Sequence, residues 1–424
     1  MNSKIRAEQW PYLLFVASLP FPSILQLRFS SITFQLADIL FLLAAGAWAV
    51  AFAVRRRSLI PSWFYACLAA YAVVIVLSAI GSADPARSSV KVAGKFYLIG
   101  AAVLSLNSVT TMNDLKRVIQ AWLIGAGVSL TLSLAGILLF YAGFTDPSRN
   151  IVLHPIFGSL PPGNYPRIEG FFFHPAMLCN FLGVTWMFVL LSASANWVRM
   201  RPLRLFSVGL LVVNAFTLTP GLGGIFLSSP GFFRKRLLER GHRHLGRLAM
   251  AAGILLAAAF FIAASVTLFS YDPDGTRVPL ISGSISPSHR AVAWKTAFET
   301  FLQNPILGRG VGLPVARSEF IDPSGNRQYL GDAHNTYLSV LGETGLAGFF
   351  TFMSVIGFLL FGLARWRAQD ALQNTIRACL LLALCDAFFY QSLTGSYEDA
   401  RHLWVLFGIS AAAVARFSTD SPSV

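Results

Sequence analysis

Charge is what this 424-residue sequence has least of. Asp, Glu, Lys and Arg together make up 12% of it, about half of the roughly 25% usual in soluble globular chains. That scarcity excludes a soluble enzyme, a disordered chain and a secreted domain. Cysteine is also scarce. Cys67, Cys179, Cys379 and Cys385 all lie inside apolar runs, which fits apolar packing and neither a disulfide framework nor a metal cluster. No CxxC, HExxH or Walker A motif is present. What fills the chain is apolar: 55% hydrophobic residues, 36 of them Phe, with a mean hydropathy of +0.61. The composition is that of an all-α polytopic membrane protein.

A helical bilayer span needs roughly 20 mostly apolar residues. Twelve such stretches are expected, at 10–27, 34–54, 62–80, 92–107, 117–141, 174–195, 203–219, 221–232, 248–269, 336–362, 374–394 and 401–416. The first follows Lys4 and Arg6 in the manner of a signal peptide. It lacks a small-x-small cleavage site and is taken as a retained helix. The Arg55-Arg56-Arg57 cluster marks the cytoplasmic side. With the N-terminus inside, the inner loops and helix ends hold 20 of the 33 basic residues and only 5 of the 19 acidic ones. The rest of the chain is then close to neutral. The net charge of +14 is positive-inside bias, and nucleic acid is not implied as a partner.

Two outer segments are too long and too polar to be simple connectors: 142–173, and 270–335 between the ninth and tenth spans. The whole of 1–424 reads as one transmembrane domain carrying these two loops. In the longer one, Ser286-Pro287 opens a helix over about 287–303 that ends before Asn304-Pro305. Trp294, Ala297, Phe298 and Phe301 recur at spacings of three and four, so this helix is amphipathic. Leu307-Gly308-Arg309-Gly310-Val311-Gly312 follows. No strand precedes it, and a turn fits better than a phosphate cradle.

The loop returns to the membrane at Asp332-Ala333-His334-Asn335-Thr336-Tyr337. Asn335 or Thr336 can cap the next span, which puts His334 at the membrane surface just before a helix N-terminus. Glu343 lies nine residues on, about half a turn out of phase and roughly 13.5 Å deeper, so it is not His334's direct partner. An intramembrane carboxylate is either functional or a hydrogen-bonding support. Asp386 is a similar case with the structural role ahead, and Asp38 fits a packing or capping role. Arg167, Arg290, Arg309 and Arg401 all fall at the outer side. Arginine holds diphosphate by charge and by paired N–H donors. Arg167 and Glu169 can instead pair with each other.

Taken together these runs resemble the O-antigen ligase and Wzy-type polymerase superfamily. The resemblance rests on His334-Asn335-Thr336-Tyr337-Leu338 with Glu343-Thr344-Gly345-Leu346-Ala347-Gly348. It extends to Arg290 with Trp294, Pro305 and the glycine turn, and to Arg167-Ile168-Glu169-Gly170-Phe171-Phe172 with His174-Pro175. These segments follow the family's order over roughly 150–360. In one place the chain departs from the family. A Ser-Arg pair before glycines is common after the seventh span, and here Leu218-Thr219-Pro220-Gly221-Leu222-Gly223-Gly224 stands without an arginine.

The resemblance implies a GT-C-type membrane glycosyltransferase in the bacterial inner membrane, with its active site facing the periplasm. The donor would be a glycan on undecaprenyl diphosphate. The acceptor would be lipid A core for a ligase, or a growing O-antigen or exopolysaccharide chain for a polymerase. No cofactor or metal is implied. His334 matches the catalytic histidine, and it can act as general base or orient a substrate. Arg167 and Arg290 match diphosphate-binding arginines, with Arg309 and Arg401 as further candidates. Glu343, Glu169, Asn335 and Tyr337 would support the site. A transporter or flippase, or an inactive assembly partner, is the alternative of another class. The chain shows no internal repeat, and its candidate residues gather at one face, which argues against transport.

Overall fold

A computed structural model describes residues 7–29, 32–54, 59–144, 150–154, 167–219, 223–225, 229, 278–280, 283–285, 289–321, 327–393 and 395–417. These residues are mostly helical. The helices are α1 (Trp10–Ser18), α2 (Leu36–Val54), α3 (Phe64–Ile80), α4 (Pro85–Ser108), α5 (Met112–Tyr141), α6 (Pro175–Ser194), α7 (Met200–Phe216), α8 (His289–Gln303), α9 (Thr336–Arg365), α10 (Ala371–Leu384) and α11 (Arg401–Phe417). Among the described residues, six helical segments are long and apolar enough to cross a bilayer: α2, α4, α5, α6, α9, and α10 with its continuation to Leu393. The expected eighth and ninth spans, 221–232 and 248–269, lie almost wholly outside the described residues.

The first expected span is shorter than its apolar run. The helix stops at Ser18, and the chain turns through Pro20 and Pro22 into an antiparallel hairpin of β1 (Gln26–Phe29) and β2 (Ile32–Gln35). Apolar content cannot carry a helix past residues that lack an N–H and clash with the preceding turn. Two more hairpins, β3 (Val278–Leu280) with β4 (Gly283–Ile285) and β5 (Ser318–Ile321) with β6 (Arg327–Leu330), flank α8. The helix of the long loop is therefore present as α8, but its buried face differs from the expected one. Ala293 and Ala297 are buried against Val315, Ala316 and Ala333, whereas Phe298 is exposed. Small residues let α8 lie close to α9, and the larger ring is left outside.

Helix starts carry local signals. Asp84 and Asp370 accept from Arg87 N–H and Gln373 N–H, and Thr111 with Asp114 forms a capping box. The bundle packs α4 on α11, α3 on α9, α1 on α5 and α6 on α10. Trp122 stacks on Phe181 at 5.1 Å and donates Nε1–H to Thr185 at 2.9 Å. His402 is a core residue, bonded through Nε2 to Asn180 at 2.8 Å. Arg401 closes on Asp38 through both Nε and Nη2, at 3.0 and 2.9 Å, which clamps the start of α11 to that of α2. Lys91 and Lys95 of α4 both pair with Asp399, just before α11.

Helix α9 is broken at Gly345, where φ is 63° and ψ −164°. The break lies about 13.5 Å along the helix from its start, where water does not supply hydrogen bonds. The glycine turn supplies them instead. Arg309 N–H donates to Gly342 O at 2.9 Å, and Gly310 N–H to Glu343 O at 3.1 Å. Gly312 N–H donates to the Glu343 carboxylate at 2.9 Å. Leu346 and Ala347 N–H reach Pro305 and Ile306 carbonyls at 2.8 and 3.1 Å. Ser78 Oγ of α3 donates to Glu343 O at 2.9 Å. Glu343 thus holds the turn against the helix.

Replacing Gly345 with Ala should lower thermal stability by ~1–3 kcal/mol from backbone strain alone. A clash adds to this, because a Cβ there would meet the Ile306 carbonyl carbon at 2.4 Å. Gly357→Ala in the same helix meets open space and should be neutral or stabilise by up to ~1 kcal/mol. Thermal unfolding of both variants in nanodiscs checks the contrast. Removing either Asp38 or Arg401 should cost ~3 kcal/mol, because the partner's charge is left in a poorly solvated place. A double-mutant cycle on the same unfolding signal measures the coupling.

Candidate functional site

The site is built where α6 and α9 begin side by side. The segment before α11 ties them together. Thr336 N–H and Oγ1 both donate to Gly395 O, at 3.1 and 3.0 Å, and Tyr397 N–H donates back to Thr336 Oγ1 at 2.8 Å. Tyr397 OH reaches Ala176 O at 3.0 Å. A third segment is held by an isolated antiparallel bridge, Leu153 to Ile168. In that bridge His154 N–H donates to Arg167 O at 2.8 Å, which sets His154 beside Glu169.

These contacts bring three imidazoles into a row. His334 and His174 have ring centres 5.5 Å apart, and His174 and His154 are also 5.5 Å apart. A carboxylate stands at each end. Asp332 Oδ2 accepts from His334 Nδ1 at 3.1 Å, and Asp332 Oδ1 accepts from His334 N–H at 3.1 Å. At the other end His154 Nδ1 lies 2.6 Å from Glu169 Oε2. His334 adopts φ 50°, a left-handed conformation uncommon in residues other than glycine, though less so for histidine than for most, and the two bonds to Asp332 hold it. Burial alone would raise the Asp332 carboxyl. The hydrogen bond and charge of His334, the Ser396 hydroxyl and the His334 N–H outweigh it and hold the group down at about 2. Asp332 therefore fixes His334 with its proton on Nδ1 and Nε2 as the basic nitrogen. Among the described residues, no three His, Cys, Asp or Glu side chains meet in a metal-ion geometry.

The other expected site residues divide. Arg167 Nε donates to Thr217 O at 3.2 Å, at the C-terminal end of α7, beside the stretch where the family's Ser-Arg pair would stand. Arg290 lies in the first turn of α8, with its side chain outside the described set. Arg309 sits in the glycine turn and donates Nη1–H to Pro314 O at 3.2 Å. Arg401 is engaged with Asp38 and Tyr97. Glu169 partners His154 in its carboxylate contact. Asn335 is the cap of α9, accepting from Tyr337 and Leu338 N–H at 3.0 and 3.2 Å. Tyr337 OH donates to Phe388 O in the π-helical turn Cys385–Tyr390 after α10. Asp332, His154 and Ser396 carried no assigned role in the sequence. The D-x-H spacing was visible, but His154 is brought in by the bridge alone. Beside the row, a cleft of about 880 Å³ is lined by Leu132, Leu139, Val152, Phe171 and Phe173, with Glu169 on its wall.

A family model described as O-antigen ligase matches residues 179–353. In this stretch the chain is similar to the O-antigen ligase family. No curated protein shows a match to the chain. The matched stretch runs from α6 through the greater part of α9 and contains His334, Arg290, Arg309 and Glu343. Arg167, Glu169, His154 and His174 precede it and Arg401 follows it, so the row of imidazoles is assembled from inside and outside the matched stretch. The match together with the six apolar helical segments indicates a multi-pass membrane protein and supports a membrane glycan function of the O-antigen ligase or polymerase type in general.

Because the folded-state value of Asp332 lies below its ordinary 3.8, its contribution to stability is present above that pH and is lost as pH falls towards about 2. Asp332→Asn should therefore be less stable than wild type at neutral pH. The gap should close between pH 3.8 and 2, as read from unfolding midpoints of the two proteins across that window.

Proposed function

We propose that the protein transfers a glycan from an undecaprenyl-diphosphate carrier to an acceptor hydroxyl, in the manner of an O-antigen ligase with lipid A core as acceptor. The chain would be one inner-membrane domain of about twelve spans with GT-C-type architecture. Segments 142–173 and 270–335 would lie in the periplasm with the site. The observation that carries this reading is the His334–Asp332 pair, which leaves a basic Nε2 beside two helix starts and within the matched stretch. In the reaction the acceptor hydroxyl gives its proton to His334 Nε2 while its oxygen bonds to the sugar C1. The bond from C1 to the diphosphate oxygen breaks, and its electron pair leaves with the diphosphate. Asp332 holds the ring in place and stabilises the imidazolium that forms. No metal or cofactor enters this scheme.

Arg167 suits the leaving diphosphate, because it brings a guanidinium to the end of α7 where the family's arginine is missing. Arg290 and Arg309 are further cations for the same charge. Arg401 acts through its clamp on Asp38, and Glu343 through the turn it holds. The apolar cleft beside Glu169 offers a seat for a polyprenyl chain.

His334→Ala should lower turnover by about 10²–10⁴-fold. Asp332→Asn, which keeps the ring but frees its tautomer, should lose up to about 10⁴-fold. The measurement is a glycan profile of a deletion strain restored with each variant. Full-length chains left on undecaprenyl diphosphate with bare lipid A core identify a ligase. Single repeat units on the carrier identify a Wzy-type polymerase. Unchanged pools with His334→Ala would refute the catalytic role.

A further inference from the structure

A carboxylate that orients a catalytic histidine must stay ionised and keep one oxygen turned to the ring. The torsion that rotates a carboxyl group is broad, so rotamer preference does not fix it. Packing does not fix it here either, because the Asp332 side chain is half exposed. Hydrogen bonds on the second oxygen must do so. Oδ2 faces His334 Nδ1 at 3.1 Å. Oδ1 takes the other donors: His334 N–H at 3.1 Å, Ser339 Oγ at 3.2 Å, and Ser396 Oγ in the closest of the three contacts. The two serine hydroxyls also meet each other at 2.8 Å.

Proton counting gives these contacts a direction. A hydroxyl has one hydrogen to donate, and an ionised carboxylate only accepts. Ser396 therefore gives its hydrogen to Asp332. Ser339 donates to Ser396 or to Asp332 itself, and either way its hydrogen points towards the carboxylate. Bonds of this kind, to an ionised acceptor, are roughly twice as strong as neutral ones. Of the three donors on Oδ1, only Ser396 lies outside residues 332–339, and it is 64 residues away in the chain. Its own segment is fixed on every side. Gly395 O accepts from Thr336 of α9, Tyr397 OH donates to Ala176 O of α6, and Asp399 pairs with Lys95 of α4. A hydroxyl carried on that segment is held still relative to three helices, and it holds the carboxylate still in turn.

We propose that Ser396 is a positioning residue of the site, whose hydroxyl, with Ser339 behind it, holds the Asp332 carboxylate in the rotation that turns Oδ2 to His334 Nδ1. This rests on the glycan-transfer reading above. Ser396 acts through Asp332 and not on the substrate. With three donors on Oδ1, Asp332 remains an anion while His334 holds the proton of the acceptor hydroxyl, and that proton does not pass on to the carboxylate. Without the Ser396 hydroxyl the carboxylate is free to rotate. His334 Nδ1 then loses its fixed acceptor. The neutral ring can carry its hydrogen on Nε2, the nitrogen that has to be the base.

The test compares Ser396→Ala with Ser396→Thr, which keeps the hydroxyl, in the full-length protein in nanodiscs. Histidine labelled in the ring reports by NMR which nitrogen carries hydrogen, and the His334 signals are those lost in His334→Ala. Wild type and Ser396→Thr should carry the hydrogen on Nδ1. Ser396→Ala should show Nε2–H or a mixture of the two tautomers. Glycan transfer is followed from undecaprenyl-diphosphate-linked repeat units of the source strain. In Ser396→Ala kcat should fall about 10–100-fold, the worth of one hydrogen bond to a charged group. The KM values of donor and acceptor should stay unchanged, and Ser396→Thr should keep most of the rate. If Ser396→Ala does not fold, Ser396→Cys, whose thiol is a weak donor, should show the same tautomer change and the same loss. An unmoved His334 tautomer in a folded variant lacking the hydroxyl overturns the proposal, and so does wild-type turnover. His334→Ala in the same assay separates the two readings. Activity retained there refutes glycan transfer by this site, whereas an inactive His334→Ala beside a fully active Ser396→Ala refutes the role of Ser396 alone.

Discussion

Inside a bilayer every backbone N–H and C=O must find a partner within the protein. The break of α9 at Gly345 is where this constraint shapes the molecule. An uninterrupted helix would satisfy itself. A broken one leaves donors and acceptors that another segment must meet, and here Pro305–Gly312 does so with five backbone and side-chain bonds to residues 342–347. The chain that follows α8 is thereby fixed to a transmembrane helix. The return of that chain to the membrane at Asp332 and His334 is fixed as well. Glu343 takes part in that fixing by accepting from Gly312 N–H.

The same economy of donors governs the site. Two helices begin beside one another, and their first-turn N–H groups are consumed by Asn335, Gly395 and His174. What remains to meet an anion is the helix dipoles, which act over the first turn, and side chains whose hydrogens are fixed by their other contacts. Nδ1 of His334 faces the Asp332 carboxylate, whereas Nδ1 of His174 accepts from Ala176 N–H, so the two neutral rings carry their protons on different nitrogens. Identical residue types thus take different tautomers from the contacts that their rings make.

Charges near the same ends of the helices stabilise this arrangement. Lys91 and Lys95 meet Asp399, and their positive charge holds Asp399 well below the usual carboxylate range despite its burial. Arg401 meets Asp38 two residues later in the chain. Such pairs are costly to break from one side in a poorly solvated place. They anchor the start of α11 to α2 and α4, and with it the Gly395–Tyr397 segment that joins α6 to α9. Arg401 could be read from the sequence as an outer cation, but its partner lies 363 residues away.

The sequence by itself determined the solvent and much of the secondary structure. Low charge and long apolar runs require a membrane, and helices there are local, because each hydrogen bond is made four residues away. Nine of the twelve expected spans accordingly overlap a helix, and a tenth, α1, is cut short where Pro20 and Pro22 remove donors, but only six helical segments among the described residues are long and apolar enough to cross a bilayer. The motif around His334 and the glycine turn was legible for the same reason: cap, turn and spacing are local signals. What only the tertiary structure decided are the partners. His154, His174 and His334 are far apart in the chain and meet through a two-residue bridge and a shared helix boundary. Periodicity carries no information about contacts of that kind. Phe298 was expected inward by its spacing and lies outward, because Ala293 and Ala297 allow a closer approach to α9 than a phenyl ring would. Which nitrogen of each histidine carries the proton follows from contacts that exist only once the helices have packed.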